Sequence, residues 1–415
     1  MTMNRPILAG LCAGVLGLAL AASAHAEWVR SWSAAPEPPT AARGRFPATP
    51  SFQDQTVREV VRLSAGGKHV RIRLTNEYGS KPLLIGAAHL ALAGADGAIQ
   101  PGSDMTLTFA GQPTVVIPPG APMLSDPIDL DVPALASLAV SLYAPEDTGQ
   151  CTCHSTAMQT LYISDKGDST AAPALPARPG FSPRAFLGGV EVDAPATAST
   201  IVTFGDSITD GVGSMPNTNH RWPDRLADRL AARGKGVFAV ANQGISGNRV
   251  ISDGAAQSAL ARFDRDVLAV PGARYVIVFE GVNDLGRSDP PAQAASFFGA
   301  AEPVTAEAMI AGYRQLIARA HAGGLKIYGA TIAPYGGAAY WSAAGEAKRQ
   351  AINAWIRTSG AFDAVIDFDS VLRDSADPTQ MRADYHAGDH LHGSDAGYQA
   401  MADAIDLGLF AAPTK

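Results

Sequence analysis

Cysteine is nearly missing from this chain, with three among 415 residues. A disulfide framework therefore cannot be what stabilises it, and nothing supplies the usual spacing of zinc ligands. Charge is also sparse, at 17% of residues, and its balance is acidic, with a formal net charge of −7. That sign argues against nucleic acid or an anionic membrane surface as a partner. Beyond residue 26 no apolar run is long enough to span a bilayer. What remains is a globular composition, 47% hydrophobic, over a length that accommodates two domains with separate cores.

Residues 1–26 read as a secretory signal peptide. Arg5 supplies the positive start, Ile7 to Ala22 is apolar, and Ala24-His25-Ala26 is a small-residue cleavage site. An uncleaved anchor is the competing reading, and the small-residue ending favours removal. Cys12 lies inside the apolar stretch without the residues that precede a lipidated cysteine. The expectation is an exported protein, periplasmic or extracellular. Its remaining cysteines, Cys151 and Cys153, stand in Cys-Thr-Cys-His154. We read this as a loop with either two thiols or a local disulfide, and expect no metal there.

Residues 27–193 read as an antiparallel β-sandwich. From Glu27 to about Pro50 the chain is Pro-rich and aperiodic, with Trp28 and Trp32 as anchors on a core. Val57–Leu63 and His69–Leu74 alternate with period two around a Gly66-Gly67 turn, which predicts a hairpin. Leu83–Leu92, Met105–Phe109, Thr114–Ile117 and Leu135–Tyr143 are further strand candidates. Residues 164–198 read as an Ala- and Pro-rich linker containing one last strand, Ala185–Val192. No acid–base residues cluster here, and the bland role is structural support; a carbohydrate-binding role is the sharper one.

From 194 to 415 strands and helices alternate. Thr200–Phe204, Gly236–Ala241, Tyr275–Phe279, Lys326–Ile332 and Ala364–Phe368 read as strands. Trp222–Ala232, Ser258–Leu268, Ala306–His321, Ala343–Thr358 and Ala396–Leu409 read as helices. Five strands in this alternation predict a parallel sheet covered on both faces, with ligands at the carboxyl ends of its strands. Ser207 sits at such an end, in Gly205-Asp-Ser-Ile-Thr209. The loop after the second strand carries Gly247, and the loop after the third carries Asn283. Asp389 precedes His392 by three residues in the last long loop, so one turn of chain brings the two side chains to the same side. A nucleophilic serine needs an imidazole to take its proton and a carboxylate to steady that imidazole. His386 and His390 compete for the role of base, but only His392 has an acid three residues earlier and a helix start just after it. Asp206 and Asp284 read as carboxylates that hydrogen-bond the local backbone.

Gly205-Asp-Ser-Ile208, Gly247, Gly281-Val-Asn283-Asp284 and Asp389-x-x-His392 appear in the order of the four blocks of the SGNH hydrolases, the GDSL esterase/lipase family. The chain resembles that family over about residues 200–410. The resemblance implies a flavodoxin-like three-layer α/β/α sandwich around a five-stranded parallel sheet. It implies Ser207 as nucleophile, His392 as base and Asp389 as its orienting carboxylate. The Ser207 N–H, the Gly247 N–H and the Asn283 side chain would form the oxyanion hole. Two departures stand out: Ile208 where the motif has leucine, and Gly393 where the family often has proline. No metal or organic cofactor is called for, and Gly205 to Gly211 lacks the ending of a phosphate loop.

The substrate is less legible. Leu285 to Pro303, with Phe297-Phe298, is either a lid or acyl-pocket wall, or an ordinary surface loop with one buried aromatic pair. Tyr335, Tyr340 and Trp341 follow the fourth strand and are expected at the mouth of the site. The expected activity is a serine carboxylic-ester hydrolase acting through an acyl-enzyme on short-chain, aryl or carbohydrate O-acetyl esters. A lysophospholipase or thioesterase is the nearest alternative. A carbohydrate- or surface-binding protein with an inactive hydrolase domain is the alternative of another class. The partner is a small-molecule or glycan ester, with no nucleic acid and no stable membrane insertion after signal cleavage.

Overall fold

The computed structural model describes residues 27–42, 47–178, 183–294 and 302–411. The expected signal peptide and Phe297-Phe298 lie outside the described residues. Among the described residues no helix is long and apolar enough to cross a membrane.

The N-terminal half is built on five principal strands: β1 (Glu27–Ser33), β2 (Gln55–Arg62), β3 (Gly67–Thr75), β4 (Ser137–Ala144) and β5 (Leu187–Ala194). They form two antiparallel sheets. In one, β5 lies between β1 and β3, and two short strands pair with the other side of β3. In the other, β2 and β4 are central, flanked by Leu161–Ile163 and Ala87–Leu92. Val57, Val61, Leu138 and Val140 from one sheet share a core with Val70, Ile72, Val190 and Val192 from the other.

The expected hairpin is not formed. The strands β2 and β3 are adjacent in sequence but belong to different sheets, so the segment between them crosses the sandwich instead of turning back. Its glycines serve space, not turn geometry. A Cβ on Gly66 would lie 2.3 Å from the Val132 carbonyl oxygen, and one on Gly67 would lie 2.4 Å from that of Asp193. Strand β1, in a segment that reads as aperiodic, is buried on both sides because it faces the sandwich core and the C-terminal half together. Cys151 and Cys153 are disulfide-bonded. The final strand expected at Ala185–Val192 is β5, which ends at Ala194 with the next strand beginning at Ser199, and in the Ala- and Pro-rich stretch before it the Thr170 and Ala172 carbonyls accept from Arg58 of β2.

That strand is β6 (Ser199–Gly205), the centre of the C-terminal half. With β7 (Phe238–Gly244), β8 (Ala273–Phe279), β9 (Lys326–Ala330) and β10 (Ala364–Ile366) it forms a parallel sheet ordered β7-β6-β8-β9-β10. This is the expected α/β/α arrangement. The helices are α1 (Ser207–Asp210), α2 (Trp222–Arg233), α3 (Ala259–Phe263), α4 (Val282–Ser288), α5 (Ala306–Ala322), α6 (Ala343–Thr358), α7 (Phe368–Leu372) and α8 (Asp395–Asp403). The last helix stops six residues short of the expected Leu409. The Arg229 and Arg233 guanidiniums of α2 take up the carbonyls of Ile405 and Leu407 at 2.9 and 2.6 Å, and Asp406 turns the chain by accepting from the Gly408 N–H.

The two halves are joined along β7, an edge strand. Ser64 accepts from the Val240 N–H at 2.8 Å, and the Ser33 hydroxyl donates to the Asn242 carbonyl at 2.9 Å. Backbone groups that an open edge would leave to solvent are thus satisfied by serines of the sandwich. Beside them, the β1 N–H of Arg30 reaches the Thr200 hydroxyl at 3.1 Å.

Candidate active site

The site forms where β6, β7 and β8 end and the last loop returns. At the end of β6 the backbone is packed tightly: a Cβ on Gly205 would lie 2.2 Å from the Phe279 carbonyl oxygen. Asp206 caps α1 by accepting from the Ile208 N–H at 2.9 Å, which leaves Ser207 as the first residue of the helix. The Ser207 N–H therefore has no preceding helix carbonyl to bond and is available to a ligand.

His392 Nε2 lies 2.8 Å from Ser207 Oγ, and His392 Nδ1 lies 2.5 Å from Asp389 Oδ2. The three side chains form one hydrogen-bonded line. The other Asp389 oxygen accepts from the N–H groups of Leu391 and His392 at 3.0 and 2.9 Å. Burial pushes the Asp389 carboxyl up, but the His392 hydrogen bond, its charge and these two N–H groups hold it well below the usual carboxylate range. His390 has a φ of 60°, which turns the chain between the acid and the base. His386 is not a second base, since its Nδ1 accepts from the Gly388 and His390 N–H groups and braces the loop. Gly393 has a local cause: a Cβ there would sit 2.8 Å from the ring of Tyr398, whose hydroxyl donates to the Val212 carbonyl.

Gly247 and Asn283 come from neighbouring loops that are tied together. Gly247 has a φ of +78°, in the region that glycine adopts without strain. The Asn283 side-chain amide donates to the Asn248 carbonyl at 3.0 Å, and its oxygen accepts from the Tyr340 hydroxyl at 3.3 Å. These bonds fix which way the amide faces and leave its second N–H free to serve a substrate oxygen. Asp206 behaves as a local cap. Asp284 does more, accepting from the Val250 and Ile251 N–H groups at 2.8 and 3.2 Å and so binding the Gly247 loop to α4. Burial raises its pKa to about 6 against the pull of those bonds.

Tyr335 and Tyr340 do not line an open mouth. They are 0% and 4% exposed and pack in the core, where Tyr340 steadies Asn283. Trp341 is half-buried against the same core.

Sequence reasoning missed Arg262, which organises the floor of the site. Its fully buried guanidinium donates to the Gly205 carbonyl at 2.8 Å, to the Gln243 carbonyl at 2.8 Å and to the Asn248 side chain at 2.8 Å. It thereby clamps the ends of β6 and β7 to the loop carrying Gly247. It also stacks 4.0 Å over the Phe204 ring and pairs with Asp266 at 3.1 Å. The available signal was a lone arginine three residues after Ala259, on the apolar stripe of a helix. Among the described residues no group of acidic, His or Cys side chains is arranged to hold a metal ion.

Residues 203–400 match the GDSL-like lipase/acylhydrolase family. Among curated proteins no match to the chain is found. Among solved structures the chain is similar to a lipase/acylhydrolase from Enterococcus faecalis, at 20% identity and a TM-score of 0.36, covering 50% of this chain and 92% of that one. It is similar to a carbohydrate acetylesterase family member from Sinorhizobium meliloti, at 17% identity and a TM-score of 0.38, covering 50% and 94%. A mutant acetyl-xylooligosaccharide esterase from Geobacillus Stearmophilus matches at 21% identity and a TM-score of 0.38, covering 50% and 91%. Residues 203–400, just under half of the chain, are a GDSL-like lipase/acylhydrolase domain, the family of ester hydrolases whose four sequence blocks the chain carries in order.

Proposed function

We propose that this protein is an exported serine esterase that cleaves short-chain, aryl or carbohydrate O-acetyl esters through an acyl-enzyme. The observation that carries the mechanism is the unbroken line from Ser207 through His392 to Asp389, at 2.8 and 2.5 Å. Ser207 Oγ attacks the ester carbonyl carbon while its proton passes to His392 Nε2. Negative charge then appears on the carbonyl oxygen, where the Ser207 and Gly247 N–H groups and the Asn283 amide receive it. The tetrahedral intermediate collapses, His392 gives its proton to the departing alcohol, and the acyl group stays on Ser207. Water repeats the sequence and releases the acid. Asp389, held ionised by its surroundings, stabilises the imidazolium at both stages.

The short-acyl preference is supported by the absence of a long apolar insertion in residues 194–415, and a glycan ester by the attached β-sandwich. Export is supported by the Arg5, Ile7 to Ala22 and Ala24-His25-Ala26 pattern. One preparation tests all three. The secreted protein should begin at Glu27, react at Ser207 with a fluorophosphonate, and hydrolyse p-nitrophenyl acetate and acetylated xylan faster than long-chain esters. Ser207→Ala should lower p-nitrophenyl acetate turnover by about 10³-fold or more. Retained activity in that variant removes Ser207 as nucleophile, and a preference for long chains replaces the acetylesterase reading with a lipase or lysophospholipase.

A further inference from the structure

A second histidine reaches the helix of the nucleophile, and it comes from the other half of the chain. His154 follows the Cys151–Cys153 disulfide and is 5% exposed. Its Nε2 lies 2.9 Å from Asp210 Oδ1. Its Nδ1 lies 3.0 Å from the Ala35 carbonyl oxygen and 3.1 Å from Glu37 Oε1. Nδ1 faces the Ala35 carbonyl, an acceptor only, and Nε2 faces Asp210, so with Asp210 ionised both nitrogens carry protons and the ring is an imidazolium, whose charge opposes the upward push of burial on the Glu37 carboxyl. Burial disfavours that charge, but the Asp210 and Glu37 carboxylates outweigh it and raise the pKa to about 9.

Asp210 is the last residue of α1, the helix that Ser207 begins. Its second oxygen accepts from the Ser246 hydroxyl at 2.8 Å, and Ser246 immediately precedes Gly247. The same end of α1 is held by Asn242, whose side chain donates to the Thr209 carbonyl at 2.8 Å. A continuous line, Glu37 to His154 to Asp210 to Ser246, thus runs from the sandwich into both elements that would present oxyanion donors. The other charges around this junction are paired among themselves. Glu59 meets Arg184 at 3.6 Å, Arg221 meets Asp224 at 3.2 Å and Arg62 meets Asp228 at 2.5 Å. Among the described residues His154 is the cation in hydrogen-bond contact with Asp210.

We propose that His154 is a positioning residue for ester hydrolysis, an imidazolium lent by the N-terminal half that sets, through Asp210 and Ser246, the placement of the Ser207 helix relative to the Gly247 N–H. The proposal rests on the assignment of Ser207 and Gly247 made above. Oxyanion donors act only when aimed to within a few tenths of an ångström, so a small shift of α1 against the Gly247 loop weakens catalysis more than binding. Without the imidazolium, Glu37 and Asp210 would be buried carboxylates with no cation between them, and the junction would have to move or take up a proton.

The test uses the full mature chain, p-nitrophenyl acetate, and His154→Gln, Asp210→Asn and Ser246→Ala beside Ser207→Ala, with near-ultraviolet circular dichroism to confirm folding. Each of the first three should lower kcat by about tenfold or more with KM changed by no more than about twofold. The wild type should also lose activity on the alkaline side with a midpoint near the His154 value of about 9, and His154→Gln should lack that decline. If His154→Gln does not fold, Ser246→Ala, which removes one half-buried hydroxyl, carries the test. A folded His154→Gln or Ser246→Ala with wild-type kcat overturns the proposal, as does a rise in KM at constant kcat. Ser207→Ala separates the two levels: if it retains activity, the nucleophile assignment fails, whatever His154 does.

Discussion

Asp389 combines two properties that pull apart in most side chains. It is half-exposed, yet its carboxyl is held ionised far into acid by His392 and two backbone N–H groups. Its charge therefore persists well below the usual carboxylate range. Asp389→Asn keeps the shape but removes the charge and confuses the tautomer of His392. Turnover of p-nitrophenyl acetate should fall by about 10²–10⁴-fold with the protein still folded, and a loss below tenfold would show that the carboxylate is not needed. At this scale the sequence was informative where chemistry dictates spacing. Asp389 and His392 are legible because one turn of chain joins them. Tyr340 was not, because its contact with Asn283 depends on how a loop folds back, and an aromatic after a strand end looks the same whether it lines a cleft or fills a core.

The elements that build the site depend on Arg262, a residue of α3 that touches no reacting atom. It binds the Gly205 and Gln243 carbonyls and the Asn248 side chain, and it lies beside buried carboxylates on Asp266 and Glu280. Replacing it with Met should destabilise the fold by about 3–5 kcal/mol, because the Gly205 and Gln243 carbonyls and the Asn248 side chain lose their buried donor, while Asp266 keeps Arg265 at 2.6 Å. Chemical denaturation measures this directly, and a loss under about 1 kcal/mol would show the clamp to be dispensable. The parallel sheet was legible in outline because each strand is a continuous apolar run between amphipathic helices. The hairpin expectation failed for a specific reason. Period-two alternation in Val57–Leu63 and His69–Leu74 reports that each strand buries one face, and both do so on the same core from opposite sheets. A glycine pair between two such strands reads identically whether the chain reverses or crosses over.

For the whole molecule, burial of acids at the floor of the site sets how stability responds to pH. Burial raises Asp206 to about 7 and Asp284 to about 6, and it raises Glu59 in the sandwich to about 7. His154 is raised to about 9, here by its carboxylate partners against burial. In each case the folded protein holds its proton more tightly than the unfolded chain. Their contribution is complete below the unfolded values, about 4 for the acids and about 6.5 for the histidine, and is lost as pH rises through the folded values. The melting temperature should therefore be higher at about pH 5.5 than at about pH 8.5. Calorimetry at the two values decides it, and an equal or higher melting temperature at the alkaline value would mean that these groups are not buried in the way described.

Ser64 and Ser33 have a consequence for assembly. A parallel sheet grows by adding strands at its rim, and the rim at β7 is where a sixth strand would dock. Two hydroxyls from the sandwich already occupy bonding positions of that absent strand. The sheet thus stops at β7 because the seat is taken, and at this rim the chain itself fills the place of a further strand.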